Sequence, residues 1–120
     1  MTDALQINAR KQAKPPGEQA ELARRMLALT PRAARILARV REIPEGFVRT
    51  YGDIDPGAPR MVGAVLARLD HDEVPWHRVV RSNGTVAKGE GQLARLRGEG
   101  VPIHRGRVDL RLARLPPEAH

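Results

Sequence analysis

The sequence contains no cysteine among its 120 residues. Disulfide bonds, cysteine-ligated zinc and thiol nucleophiles are therefore excluded for this chain. Aromatic residues are almost as rare, since there is one Phe, one Tyr and one Trp, and a core must be built from Leu, Val, Ile and Ala. No apolar run approaches the roughly 20 residues of a membrane-spanning helix, and the N-terminus lacks a hydrophobic signal core. We therefore expect no membrane contact and a cytoplasmic location.

Lysine is scarce as well, because only three of the 21 cationic residues are Lys and the other 18 are Arg. Against 14 acidic residues, these cations leave a net charge of +7. Guanidinium groups pair with phosphates and base edges through two-point contacts, so a small basic domain rich in Arg favours a polyanionic partner such as DNA. A genome rich in G and C, which raises Arg and Ala through codon usage, is the alternative explanation.

The first thirty residues differ from the rest of the chain. They are polar, and a basic cluster over residues 10–14 ends in Pro15-Pro16-Gly17, so this segment cannot bury much apolar surface. Residues 18–29 carry apolar side chains at helical spacing. We expect a polar basic arm with a short helix over residues 1–30, followed by one domain over residues 31–120.

Helical patterns recur along that domain. Thr30-Pro31 predicts an N-cap and a first helical turn, and the helix should continue to about Arg41. Further helices are predicted over residues 59–69 and 92–99. The apolar face of the first helix is expected to carry Ala34, Ile36, Leu37 and Val40.

Short extended segments separate these helices. Strands are predicted over residues 47–51 and 78–81, with a turn and a return strand over residues 82–87. Residues 101–103 and 108–112 flank a basic hairpin or wing at residues 104–107. Because the helices are joined by a tight Gly and Pro connection in a basic chain, we predict an α+β fold, a small winged helix-turn-helix DNA-binding domain.

Five motifs follow one another within residues 31–112. They are Thr50-Tyr51-Gly52-Asp53-Ile54, Pro59-Arg60-Met61-Val62-Gly63, Val74-Pro75-Trp76-His77-Arg78-Val79-Val80, Ser82-Asn83-Gly84 and Gly98-Glu99-Gly100-Val101. Together they resemble the C-terminal DNA-binding domain of the O6-alkylguanine-DNA alkyltransferases. That family has a Tyr-Gly motif, an Arg before a Val-Gly helix and a Pro-Cys-His-Arg-Val active site.

Trp76 stands where that family has its nucleophilic cysteine. Alkyl transfer needs a thiolate, and an indole ring has no comparable nucleophile. The sequence is therefore similar to the alkyltransferase-like proteins, a subgroup in which Trp or Ala replaces the cysteine. The resemblance implies a non-enzymatic sensor that flips O6-alkylguanine out of double-stranded DNA and passes the lesion to nucleotide excision repair proteins.

The same resemblance implies roles for individual residues. Trp76 would form a wall of the lesion pocket, Arg60 would fill the gap left in the base stack, and Tyr51 would help to rotate the nucleotide through its phosphate. A core Trp, a solvated Arg and a buried Tyr are the structural alternatives. The remaining residues predicted at the DNA or lesion site are Met61, Gly63, Arg78, Ser82, Asn83 and Gly84.

His77 and Glu99 match the proton relay of the enzyme. Without a thiol the relay has nothing to activate, so we predict that both residues are a structural remnant that holds the pocket backbone. The four His residues show no metal-ligand spacing, and no phosphate-cradling loop with its Lys and Ser or Thr is present. Neither a metal nor another cofactor is expected.

Two departures from the enzyme family affect the expected fold. Residues 70–73 replace an Asn-containing hinge. The connection between Asp53 and Pro59 is short, so we expect the first helix of the helix-turn-helix to be reduced to a turn. A sequence-specific winged-helix transcription regulator remains the alternative function. Such regulators usually dimerise, whereas this chain has no obvious dimer helix. We therefore expect a monomer associated with the nucleoid.

Overall fold

The computed structural model describes residues 30–69 and 73–116, which form five α-helices, four two-residue strands and one 3₁₀ turn. The predicted arm lies outside this range apart from Thr30, as does most of the predicted hinge. None of the helices in the two ranges is long and apolar enough to cross a membrane. The elements are α1 (Pro31–Arg41), β1 (Arg49–Thr50), α2 (Tyr51–Ile54), α3 (Pro59–Ala67), the 3₁₀ turn (Trp76–Arg78), β2 (Val79–Val80), α4 (Gly89–Gly98), β3 (Ile103–His104), β4 (Arg107–Val108) and α5 (Leu110–Ala113).

Helix α1 begins and ends where the sequence predicts. The Thr30 hydroxyl accepts a hydrogen bond from the backbone N–H of Ala33 at 3.2 Å, and a proline follows the cap. The predicted apolar face is wrong at one position, since Ala33 is buried and Ala34 is exposed. Position 33 lies three, four and seven residues before the other buried side chains, so it shares their face. Those side chains are Ile36, Leu37 and Val40.

Helix α2 is the shortened first helix of the helix-turn-helix. The predicted strand over residues 47–51 is present as β1, but it ends at Thr50 because Tyr51 begins this helix. Thr50 and Asp53 form a capping box, in which each side chain accepts a hydrogen bond from the other residue's backbone N–H, at 3.1 and 3.0 Å. This arrangement stabilises a helical first turn. Tyr51 therefore opens a helix and turns away from the strand direction.

Helix α1 is tied to the turn that follows α2. The Arg32 guanidinium donates two hydrogen bonds to the Asp55 carboxylate, at 2.7 and 2.8 Å, and Arg39 donates to the carbonyl of Ile54 at 2.6 Å. Arg32 holds the pKa of Asp55 at about 2, below its usual range. The helix-turn-helix is thereby fixed to the rest of the domain.

Strand β2 pairs in parallel with β1, with Arg49 opposite Val79 and Thr50 opposite Val80. The predicted return strand over residues 85–87 is wrong, because this segment forms only an isolated backbone hydrogen bond from Arg81 to Thr85 at 2.9 Å. Val79 and Val80 are both fully buried, as is usual for a parallel strand covered on both faces. The pairing brings the start of α2 beside the 3₁₀ turn.

The predicted basic wing is present. Strands β3 and β4 form an antiparallel hairpin with Arg105 and Gly106 at its tip, both at positive φ. After the wing, the Asp109 side chain caps helix α5, which the sequence does not predict, by accepting from the N–H of Arg111 at 3.1 Å. The mixture of helices, short sheets and wing is an α+β winged helix-turn-helix fold.

Buried apolar side chains form two clusters, and the two valines of β2 divide between them. Successive strand residues point to opposite faces, so Val79 joins one cluster and Val80 the other. The first cluster packs α1 against α3 and contains Ala33, Ile36, Leu37, Val40, Ile43, Ile54, Val62, Val65, Val74 and Val79. The second packs α4 and the wing and contains Val48, Val80, Leu96, Val101, Val108 and Ala113.

Replacing Gly84 with Ala should destabilise the fold. Gly84 has a φ of +85°, and a Cβ there would lie 2.5 Å from the carbonyl oxygen of Val108. Backbone strain and a clash with backbone atoms together should lower the free energy of unfolding by about 3 kcal/mol. Gly91→Ala is the matched control, because its Cβ meets nothing within 4 Å in α4 and should raise stability by about 0.5 to 1 kcal/mol. Urea unfolding of both variants measures the difference, and equal stabilities would contradict the strain at Gly84.

Candidate nucleic-acid interface

A cavity of about 440 Å³ opens between α3, the 3₁₀ turn and the segment that leads into α4. Its walls are mostly apolar with a few polar groups, as in sites that bind small ligands. The side chains and backbone of Tyr51, Gly63, Leu66, Ala67, Leu69, Trp76, Ala87, Lys88 and Gln92 line it.

Trp76 lines this cavity, and its ring contacts two neighbouring side chains. The guanidinium carbon of Arg95 lies over the indole, 5.5 Å from the ring centroid. The His77 ring meets the indole edge-on, with centroids 5.9 Å apart and planes at 82°. Cation–π and edge contacts of this kind stabilise one ring orientation, so the wall is fixed before a ligand arrives.

Glu99, just after α4, anchors the 3₁₀ turn that carries Trp76. One carboxylate oxygen lies 2.8 Å from Nε2 of His77, and Arg78 donates to both oxygens, at 2.9 and 2.8 Å. The same guanidinium donates to the carbonyl of Ile43 at 2.8 Å. The network therefore joins the end of α4, the 3₁₀ turn and the segment after α1.

The charge of Glu99 is maintained by these partners. Burial alone would raise the pKa of the Glu99 carboxyl, but hydrogen bonds from Arg78 and His77 outweigh it and lower the pKa to about 2. Nδ1 of His77 is buried and has no hydrogen-bond partner within the described ranges. With no cysteine in the chain, the carboxylate and imidazole have no thiol to deprotonate.

Gln92 fixes the backbone that directly follows Trp76. Its side chain is 1% exposed, and its amide nitrogen donates to the carbonyls of His77 and Val79, both at 3.0 Å. Its amide oxygen accepts from the N–H of Lys88 at 3.1 Å. The cavity wall is thus connected to the segment that leads into α4.

The mouth of the cavity is basic. A shallow depression of about 340 Å³, which shares Tyr51, Gly63 and Ala87 with the main cavity, is also lined by Arg60 and Arg81. Arg60 is exposed in the first turn of α3. Burial raises the pKa of the Tyr51 hydroxyl and the charge of Arg81 opposes this rise, so the hydroxyl stays protonated at neutral pH and can donate a hydrogen bond.

Residues 31–101 match the model of the 6-O-methylguanine DNA methyltransferase DNA-binding domain. A DNA base-flipping protein of Escherichia coli (strain K12) is 42% identical over 87 residues, which cover 63% of this chain and 67% of that protein. Alkyltransferase-like protein 1 of Schizosaccharomyces pombe is 43% identical over 83 residues, which cover 58% and 76%. S. pombe Atl1, solved with damaged DNA containing O6-carboxymethylguanine, superposes with a TM-score of 0.64 at 34% identity, over 70% of this chain and 94% of that one. The chain belongs to the alkyltransferase-like proteins.

The fold of this alkyltransferase-like protein brings together four of the residues predicted at the site. Tyr51, Gly63 and Trp76 line the cavity, and Arg60 lies at its mouth. A Cβ on Gly63 would lie 3.8 Å from the Tyr51 ring, so the missing side chain leaves room in the cavity. Ser82 lines a second depression beside Tyr51.

Four other predicted site residues of the alkyltransferase-like protein have contacts within the domain. Met61 packs against the core of α1 and α3, and the Asn83 side chain closes its own turn by accepting from the N–H and hydroxyl of Thr85. Gly84 is buried against Val108. The Arg78 guanidinium is occupied by Glu99 and Ile43 and lies inside the domain. The assignment of these four residues to DNA contact stays a prediction.

Three polar residues that line the cavity or its mouth were not predicted from the sequence. Gln92 shares a face with Leu93 and Leu96, and a polar side chain at a buried helical position could have signalled it. Lys88 and Arg81 carried no signal, because contacts between segments distant in the chain bring them to the cavity: the pairing of β1 with β2 places Arg81, and Gln92 holds the backbone of Lys88. Among the described residues, no group of three or more His, Asp or Glu side chains could hold a metal ion.

Glu99→Gln should destabilise the domain, because it leaves the Arg78 guanidinium, 16% exposed, without a carboxylate. Removing one partner of a mostly buried ion pair costs about 3 kcal/mol. Glu90→Gln is the control, because it makes the same charge change where the side chain is 73% exposed and should cost less than about 0.5 kcal/mol. Denaturant unfolding at pH 7 measures both.

The cost of Glu99→Gln should also depend on pH. The carboxyl pKa is about 2 in the folded protein and about 4.3 in an unfolded chain. The stabilisation by Glu99 is therefore fully present above about pH 5 and is lost as the pH falls towards 2. Unfolding of both proteins at pH 7, 4 and 2 should show the difference shrinking, and a constant difference would contradict an ionic role for Glu99.

Proposed function

We propose that this protein binds O6-alkylguanine in double-stranded DNA by flipping the modified nucleotide into the cavity beside Trp76. The observation that carries the proposal is the position of Trp76, which walls a cavity of about 440 Å³ at the place of the cysteine in the enzymes it resembles. The E. coli relative is named a base-flipping protein, and the S. pombe relative was solved with DNA containing O6-carboxymethylguanine. Both support the assignment.

The cavity suits a flipped base carrying an alkyl group. Stacking of a base on an aromatic side chain contributes about 1 to 3 kcal/mol and depends little on base identity. Leu66, Ala67 and Leu69 offer apolar surface close to the Trp76 ring. Alkylation weakens pairing of the target guanine, so the energy needed for flipping is lowest at a damaged base.

Arg60 is placed to hold the opened duplex. It projects from the first turn of α3 at the cavity mouth, where a long cation can enter the stack in place of the flipped nucleotide and bond its former partner. Entry of α3 into the minor groove would make binding insensitive to sequence, since that groove distinguishes base pairs poorly.

The bound lesion is not repaired by the protein itself. Alkyl transfer to the protein needs a thiolate, and the chain contains no cysteine. The complex, formed by one copy of the chain on the nucleoid in the cytoplasm, then marks the site for nucleotide excision repair proteins, as the resemblance to other alkyltransferase-like proteins implies.

Duplex binding tests the function directly. The protein should bind a duplex with one O6-methylguanine at least tenfold more tightly than the same duplex with guanine, because the flipped base adds stacking energy. Fluorescence anisotropy measures both affinities, and intact lesion recovered after binding tests for the absence of transfer. Equal affinities would reject lesion recognition, and a strong preference for one undamaged sequence would identify a transcription regulator.

Arg60→Ala should reduce flipping more than it reduces general DNA binding. A fluorescent base analogue beside the lesion should brighten with the wild-type protein, and this signal should fall severalfold with the variant because the stack can close. Arg35→Ala removes the same charge from an exposed position on α1 and should preserve the signal at saturating protein. Unchanged brightening with Arg60→Ala would remove Arg60 from this role.

A further inference from the structure

Arg81 lies where two surface depressions meet around Tyr51. One, of about 340 Å³, is lined by Tyr51, Pro59, Arg60, Gly63, Arg81 and Ala87. The other, of about 390 Å³, is lined by Thr50, Tyr51, Gly52, Pro59, Arg81 and Ser82. Both adjoin the mouth of the Trp76 cavity, because Tyr51 lines all three.

The electrostatic environment of these depressions favours an anion. Arg81 lines both depressions and Arg60 lines the first, and no carboxylate is among the lining residues that the structure describes. The nearby Asp53 carboxylate is engaged by Arg114 in a two-point ion pair at 2.6 and 2.9 Å. It therefore gives little compensation to the charge of Arg81.

The Arg81 side chain also differs from the arginines that stabilise the fold. Arg32, Arg78 and Arg114 each donate two hydrogen bonds to a carboxylate. Arg81 is exposed, and its one described side-chain donor, Nη1, makes long contacts with Thr85 Oγ1 at 3.4 Å and the Val86 carbonyl at 3.3 Å. Most of its donor capacity remains for a ligand within the described part of the chain.

The backbone of Arg81 is nevertheless well placed. Its N–H donates to the Thr85 carbonyl at 2.9 Å, and its carbonyl accepts from Gly84 at 2.8 Å. The guanidinium therefore reaches out from a fixed turn directly after β2. Its charge opposes the rise that burial causes in the pKa of the Tyr51 hydroxyl. The two groups therefore lie close enough to interact electrostatically.

We propose that Arg81 binds the DNA backbone phosphate next to the flipped nucleotide, the phosphate that the resemblance already assigns to the Tyr51 hydroxyl. This inference rests on the proposed function, because a base in the Trp76 cavity must carry its sugar through the mouth and leave a flanking phosphodiester in the outer depressions. A guanidinium beside a phenolic hydroxyl donor suits a phosphodiester, since charge-assisted hydrogen bonds to phosphate are short and strong. Arg60 then enters the stack while Arg81 holds the strand that has been rotated out.

A neutral linkage at the contacted phosphate tests the assignment. Methylphosphonates are placed one at a time 5′ and 3′ to O6-methylguanine, and affinities are measured for the wild type, Arg81→Ala, Arg81→Lys and the charge-matched control Arg35→Ala. Arg81→Ala should weaken binding of the natural lesion duplex about tenfold and reduce the salt slope by about one. Arg81→Lys should recover part of the affinity, because it keeps the charge but not the two-point contact.

The coupling between residue and linkage decides the outcome. At one flanking linkage, replacing the charged phosphodiester with a methylphosphonate should weaken binding of the wild type and of Arg35→Ala. The same replacement should cause no further loss of affinity for Arg81→Ala. Equal losses for all proteins at every linkage, or full affinity of Arg81→Ala for the natural duplex, would overturn the assignment. Thermal unfolding should be the same for Arg81→Ala and the wild type, because its side-chain contacts are long and exposed.

Failure of this inference is distinguishable from failure of the proposed function. Wild-type preference for O6-methylguanine over guanine, measured with natural linkages, depends on the function alone. If that preference is present but no linkage is coupled to Arg81, only the phosphate assignment is rejected. If the preference is absent, the proposed function and the phosphate assignment are both rejected.

Discussion

The carboxylate of Glu99 is the interaction on which the cavity depends. It receives hydrogen bonds from Arg78 and lies 2.8 Å from the His77 ring, and Arg78 extends the connection to the carbonyl of Ile43. The end of α4, the 3₁₀ turn and the segment after α1 are thereby held around one charge. Breaking a mostly buried ion pair of this kind is costly because it leaves a charge without its partner, and we infer that the pair specifies one arrangement of the groups that it joins.

That arrangement explains why the pair His77 and Glu99 is useful in a chain without cysteine. The resemblance assigns the matching residues of the enzymes to a proton relay, whereas in this chain the contact between His77 and Glu99 joins the 3₁₀ turn that carries Trp76 to the end of α4. Gln92 adds hydrogen bonds to the carbonyl of His77 within that turn and to the carbonyl of Val79 directly after it. A reactive centre and a binding pocket have the same structural need, which is a loop held rigidly by polar groups, so the network remains useful when the nucleophile is absent.

The arginines divide into two groups with different physical roles. Arg32, Arg78 and Arg114 are paired with carboxylates at short distances and connect segments of the domain. Arg60 and Arg81 line the depressions at the cavity mouth. The net charge of +7 therefore indicates a polyanionic partner correctly but does not say which cations face it. Location within the fold makes that distinction.

By itself, the sequence determined the elements whose causes are local and the residues carried by contiguous motifs. The Thr30 cap, the helix over Pro31–Arg41, the wing and the replacement of cysteine by Trp76 were all predictable, because caps, periodicity and motifs act over a few residues. The parallel pairing of β1 with β2 was not, since the two strands are about thirty residues apart and only burial on both faces selects their pairing. That pairing places Tyr51, Arg81 and Trp76 around one mouth, and it moves Arg78 and Gly84 into the interior. The tertiary structure thus decided which of the predicted residues share a site, because their proximity is created by long-range packing and not by spacing along the chain.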